Sequence, residues 1–113
     1  MPTVDELYKQ SETLKRAGNL EEAVQVLNEL LAQDNTHVLS HLALAVMYGK
    51  LKNPAEAVLH AEKAVELEPN EIFNHTALSV TYQRAFEATQ DRQYIYKAEE
   101  AKAKAAQIQW QKQ

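Results

Sequence analysis

The chain contains no cysteine, which excludes a disulfide framework, a thiolate nucleophile and a cysteine-ligated metal. Glycine is nearly as scarce, at 2 residues in 113. No phosphate-cradling loop, G-x-S-x-G elbow or H-E-x-x-H helix is present, so the chemistry those motifs position has nothing to work with. No uncharged apolar run approaches the ~18 residues of a membrane span, and the start, Met1-Pro2-Thr3-Val4-Asp5-Glu6, lacks the basic and apolar regions of a secretory leader. A cytoplasmic location is the resulting expectation. Clustered positive charge is missing too. Net charge is −4, and residues 1–83 carry 6 Lys/Arg against 12 Asp/Glu while residues 84–113 carry 6 against 4. An acidic body with a mildly basic tail is unsuited to tracking phosphates, and nucleic acid is not an expected partner.

What is abundant is helix-forming: alanine, leucine, glutamate, lysine and glutamine dominate, and 45% of residues are apolar, an ordinary share for one globular domain spanning residues 1–113. The expected class is all-α. Helix starts are marked where a side-chain oxygen is followed three residues later by Glu, since the two then satisfy each other's free amides. Thr3…Glu6, Asn19…Glu22 and Asn53…Glu56 fit, and Asn35, Asn70 and Asp91 are weaker starts. Six helices of about three turns follow from that spacing. Leu20, Ala23, Val24, Leu27, Leu30 and Leu31 form one apolar stripe, whereas Val38 to Tyr48 is apolar almost all round. The first pattern suits an outer helix and the second a helix covered on several sides.

Ala57 lies 34 residues after Ala23, and Gly18-Asn19-Leu20-Glu21-Glu22-Ala23 aligns with Lys52-Asn53-Pro54-Ala55-Glu56-Ala57. A 34-residue period is that of stacked helical hairpins. Within the middle period stand His41-x2-Leu44-Ala45-x2-Tyr48, then Ala57-x3-Ala61, then Pro69; the next opens His75-x2-Leu78-Ser79-x2-Tyr82. The first is looser, with Leu7-x2-Gln10-Ser11-x2-Leu14, Ala23-x3-Leu27 and Asn35. Together these residues resemble the tetratricopeptide repeat. The resemblance implies a short right-handed solenoid of three antiparallel hairpins, at about 4–37, 38–71 and 72–113, that binds protein. The third departs from the pattern: its small second-helix residue falls at Ala98 rather than at Asp91, a seven-residue excess. Seven residues are about two turns, so the helix face is kept. An elongated hairpin with helices near 72–89 and 93–111 is expected, the last one serving as the cap that a solenoid end requires.

In the family the first helices line a concave groove. Carried over by the resemblance, its positions hold Asp5, Tyr8, Lys9 and Glu12, then Leu39, Leu42, Ala43 and Val46, then Phe73, Thr76, Ala77 and Val80. Such a groove is polar at one end and apolar along the rest, fit for a helical or extended segment of another protein, or for a second copy in a homodimer. The competing reading buries several of these residues between helices. Some family members clamp the terminal carboxylate of chaperone peptides with Lys, Asn and Arg. Here Tyr8, Glu12, Ala43, Phe73 and Ala77 stand in those places, so no carboxylate clamp is expected. Tyr96 and Trp110, four turns apart on the last helix, form a candidate second interface, unless they pack on their own hairpin. His37 and His41 are one turn apart, a spacing open to a shared metal but also to ordinary packing; without further ligands on that helix, packing is favoured. No cofactor, metal or enzymatic activity is expected, because no converging set of nucleophile, base and stabilising donors stands out.

Overall fold

The computed structural model describes residues 1–112, and among them are six helices and no strand: α1 Val4–Arg16, α2 Leu20–Gln33, α3 Val38–Lys50, α4 Pro54–Leu67, α5 Ile72–Thr89 and α6 Gln93–Gln111. They pair as α1/α2, α3/α4 and α5/α6, with each hairpin stacked on the next. The first four helices have 13 or 14 residues, whereas α5 has 18 and α6 has 19. The bounds of the long hairpin agree with those read from the displaced alanine.

Two of the expected helix starts form as the side chains suggest. Thr3 Oγ1 accepts the Glu6 amide at 3.1 Å and Glu6 Oε1 accepts the Thr3 amide at 2.9 Å, closing a reciprocal box. Asn53 Oδ1 accepts the Glu56 amide at 3.4 Å, with Pro54 opening α4. The others differ. Asn19 makes no side-chain capping bond, and α3 and α5 begin after His37 and Glu71 rather than at Asn35 and Asn70. Asp91 accepts the Gln93 amide at 3.0 Å, one residue before the assigned cap. Backbone geometry replaces the missing caps. At the end of α1 the Gly18 and Asn19 amides return to the carbonyls of Lys15 and Leu14 at 3.0 and 2.9 Å. One repeat later Lys52 and Asn53 return to Gly49 and Tyr48 at 3.1 and 2.8 Å. This is the paired closure whose first residue is left-handed, and Gly18 (φ 85) and Lys52 (φ 62) are both in that region.

Two apolar clusters fill the stack. Leu7, Ala23, Val24, Leu27, Leu30, Leu44 and Met47 close the N-terminal one, so the α2 stripe faces inward as its spacing requires. Ala45, Val58, Ala61, Leu78, Tyr82, Ala85, Ala98 and Ala101 close the other. The α6 stripe of Ala98, Ala101, Ala105 and Ile108 is buried along its length. Ser79, in a small-residue position, sends its hydroxyl to the Ala98 carbonyl at 3.0 Å. No helix among the described residues is long and apolar enough to cross a membrane.

Candidate functional site

The helix that looks apolar all round is not covered all round. Ser40, His41, Leu44, Ala45 and Met47 turn α3 inward, while Leu39 and Val46 stay in solvent, Leu39 at 56% exposure. In α5, Phe73 is 65% exposed and Val80 is also open. Side chains spaced by three and four share a face, so each helix presents a second apolar edge opposite its core edge. Between the two edges lies a groove of about 680 Å³, and Leu42, Val46, Phe73, Thr76, Ala77 and Val80 all line it. Six of the expected positions are thereby brought together.

The remaining positions are placed elsewhere. Leu39 lines a shallower cavity of about 440 Å³ that shares Leu42 and Phe73 with the main groove. Ala43 is half-buried against the N-terminal cluster, as is Tyr8. The Tyr8 ring lies 5.3 Å from the His37 ring, and burial, then the Glu12 carboxylate, push its phenol above the ordinary value. Glu12 is exposed on α1 and lines neither cavity. Tyr96 and Trp110 do not pack on their own hairpin: they stand 67% and 76% exposed on α6.

Charge distribution differs from the expectation of one polar end. The main groove has Lys52 and Arg84 in its wall, beside Gly49 and Thr81. The shallower cavity has Asp34, Glu68 and Glu71 in its wall. The channel is thus apolar in the middle and oppositely charged at its two ends. Both cations were legible only in part from the chain. Lys52 sits where the first repeat has Gly18, a mismatch visible by alignment, but Arg84 enters the groove because α5 continues past the point where α3 stops. Gly49 also reads differently in three dimensions. A Cβ there would meet nothing within 4 Å, so the glycine relieves no helix contact and instead leaves the groove open.

The histidines are committed to packing. His41 Nε2 donates to the Asn35 carbonyl at 2.9 Å, and 34 residues on His75 Nε2 donates to the Pro69 carbonyl at 2.6 Å. The same bond pins the same loop in two repeats. With its Nε2 proton so used, a neutral His41 presents Nδ1 as an acceptor, and His60 Nδ1 donates to it at 3.0 Å. Tyr48 stacks on the His60 ring at 5.7 Å. Burial, then the neighbouring His41, lower the His60 pKa from 6.5 to about 4. His37 turns away to Ser40 at 2.7 Å, so His37 and His41 do not converge. No group of three or more His, Asp or Glu side chains among the described residues is placed to hold a metal.

Comparison with known proteins agrees with this geometry. Residues 39–71, the hairpin of α3 and α4, match the model of the tetratricopeptide repeat. No curated protein matches the chain. Among solved structures, MamA superposes on 93% of the chain with a TM-score of 0.71 at 17% identity. A second MamA structure does so with 0.69 at 18%. The chain spans 57% and 61% of those two proteins. The first tetratricopeptide domain of Spaghetti (RPAP3), bound to the HSP90 peptide SRMEEVD, gives 0.65 at 17% identity, with 93% of this chain and 91% of that one covered. At such identities the likeness is one of fold.

Proposed function

Its matched repeat and its fold make this chain a tetratricopeptide-repeat protein, and from that premise we propose that it is a non-catalytic adaptor. Residues 1–113 act as one unit in the cytoplasm and hold a helical or extended segment of another protein in the groove between α3 and α5. The observation that carries the proposal is the exposed apolar edge of Leu39, Val46, Phe73 and Val80. Large apolar side chains left side by side in solvent are unfavourable unless something covers them. The lining supports binding rather than catalysis, since Thr76 and Thr81 have no histidine or carboxylate beside them in the main groove. RPAP3, of the same fold, was solved with a peptide bound.

Tyr8, Glu12, Ala43, Phe73 and Ala77 occupy the clamp positions, so SRMEEVD itself is expected to bind no tighter than background; micromolar affinity in a titration would refute that part. Site-specific photocrosslinking tests the main reading. A photoreactive residue at position 73, compared with one at the exposed Leu59 of α4, should capture a discrete protein, and Leu42→Glu should abolish the capture. Equal labelling from both positions would overturn the adaptor reading. Capture of this same chain, with a concentration-dependent dimer in light scattering, would replace the adaptor by a homo-oligomeric scaffold closed through the groove or through Tyr96 and Trp110.

A further inference from the structure

The channel is charged with opposite sign at its two ends, and its basic end is maintained against the preference of the backbone. Leu42 and Phe73 border both cavities, so Lys52 and Arg84 on one side and Asp34, Glu68 and Glu71 on the other belong to one continuous surface. The ion pairs among the described residues are His60–Glu56 and Lys63–Glu66. Lys52 and Arg84 take part in neither. Lys52 moreover occupies the left-handed position of its turn, φ 62, where the equivalent residue of the first repeat is Gly18 at φ 85. A β-carbon in that conformation costs about 1 kcal/mol relative to glycine. Local strain of this kind collects at sites where a side chain serves a purpose other than folding.

We propose that the groove's occupant is an apolar segment of another protein that carries an acidic side chain toward Lys52 and Arg84 and a basic one toward Asp34, Glu68 and Glu71. This inference rests on the groove reading above and adds the chemistry and direction of the partner. A segment without an acid covers two cations without pairing them, and desolvated unpaired charge is costly. A segment laid the other way sets like charges against each other at both ends. Opposed charge at the two ends therefore selects partner and direction, while the apolar middle supplies the contact area. The acid is a side chain within the segment. The terminal carboxylate of a chaperone tail is excluded by the residues at the clamp positions.

The test is a display selection of random peptides on the wild-type chain, followed by affinity measurement on the Leu42→Glu/Phe73→Glu and Lys52→Glu/Arg84→Glu variants. Enriched peptides should be apolar with a flanking Glu or Asp, and should weaken about tenfold or more when that acid becomes its amide. Lys52→Glu/Arg84→Glu should reject them and accept their acid-to-lysine counterparts. Lys52→Gly gives an independent readout: the melting temperature should rise as the strained turn relaxes, while affinity falls by about fivefold or more. Peptides that need Leu42 and Phe73 but ignore both the acid and the cations would overturn this inference and leave the groove reading intact. So would a Lys52→Gly variant that is more stable yet loses no affinity. Enrichment of no peptide dependent on Leu42 and Phe73 would overturn both.

Discussion

The N-terminal and C-terminal halves of the stack solve the same packing problem with different side chains. Around Ala23 the N-terminal cluster is filled by Leu7, Val24, Leu27, Leu30, Leu44 and Met47; the C-terminal one relies on Ala45, Ala61, Ala85, Ala98 and Ala101, with Tyr82 as its one large polar-tipped member. A buried leucine removes several times the apolar area of an alanine methyl. Hairpins of 13 and 14 residues suffice for the leucine-filled half, whereas the alanine-lined hairpin runs to 18 and 19. Length offsets small side chains: the added turns bury Ala105 and Ile108, and the short side chains let α5 and α6 lie close enough for Ser79 to reach the Ala98 carbonyl. The extension is thus part of how the last hairpin holds together. It also carries Arg84 into the groove.

If the halves differ in this way, deletion should hurt one and insertion the other. Leu27 is fully buried, and Leu27→Ala should cost about 4 kcal/mol by leaving a cavity among neighbours that cannot collapse. Ala61, equally buried but between close helices, should respond to enlargement instead, with Ala61→Leu costing about 2–3 kcal/mol through overpacking. Urea titrations read both. A C-terminal half that accepts the leucine without loss would show that its alanines are filler rather than spacing.

Tyr82 brings a polar contact into the alanine half, its hydroxyl donating to Glu62 Oε2 at 2.6 Å. The ring faces Tyr94 at 6.0 Å, and burial, followed by the bond to Glu62, drives the phenol's pKa upward. Tyr82→Phe keeps the ring and should remove about 1.5 kcal/mol, the worth of a hydrogen bond to a charged group. Tyr48, the equivalent residue one repeat earlier, receives only an exposed Asn28 bond at 3.2 Å, so Tyr48→Phe should cost less than half as much in the same melt.

How legible each half was in the sequence follows from the same contrast. Leu20 to Leu31 announces its buried face by spacing alone, and Ala98 marked the bounds of α5 and α6 because a two-turn slip preserves a helix face. Six groove residues were reachable because the 34-residue pattern fixes which helix edge they share. Three things were not. Leu39 and Phe73 are exposed although their helices are rich in apolar residues, since composition does not say which sides a neighbour covers. Asn19 looks like a cap but makes no capping bond, because the Gly18 turn before it already returns its amides to α1. Lys52 and Arg84 reach the groove from a turn and from an added helical turn, neither of which the repeat pattern includes.

At the junction of the two halves, His60 makes the stack sensitive to acid. It faces His41, Tyr48 and Glu56, the last at 3.9 Å. With a folded pKa of about 4 against an ordinary 6.5, the folded state binds fewer protons than the unfolded one in that interval. Stability should be flat in this respect above pH 6.5, fall as pH drops from 6.5 toward 4, and level off below. The loss should be roughly 1 kcal/mol once solvent screening of this partly exposed ring is allowed for. His60→Gln, whose amide can still donate to His41, should flatten the decline in a pH series of melts. An unchanged slope would place the acid sensitivity in the carboxylates instead.

The smallest effect sharpens the comparison at its finest scale, in two asparagines 34 residues apart. Asn53 caps α4 through the Glu56 amide at 3.4 Å, a long bond beside a proline that already presets the first turn. Asn19 makes no such bond. Asn53→Ala should therefore cost about 0.5 kcal/mol, at the low end for a lost cap, and Asn19→Ala only about 0.2 kcal/mol, by a differential melt of the two variants. Equal losses would mean that the asparagines act through the left-handed turns that precede them rather than through their side-chain oxygens. In that event the closures at Gly18 and Lys52, and not the caps, set where the second helix of each hairpin begins, and replacing Lys52 would shift α4 as well as the groove.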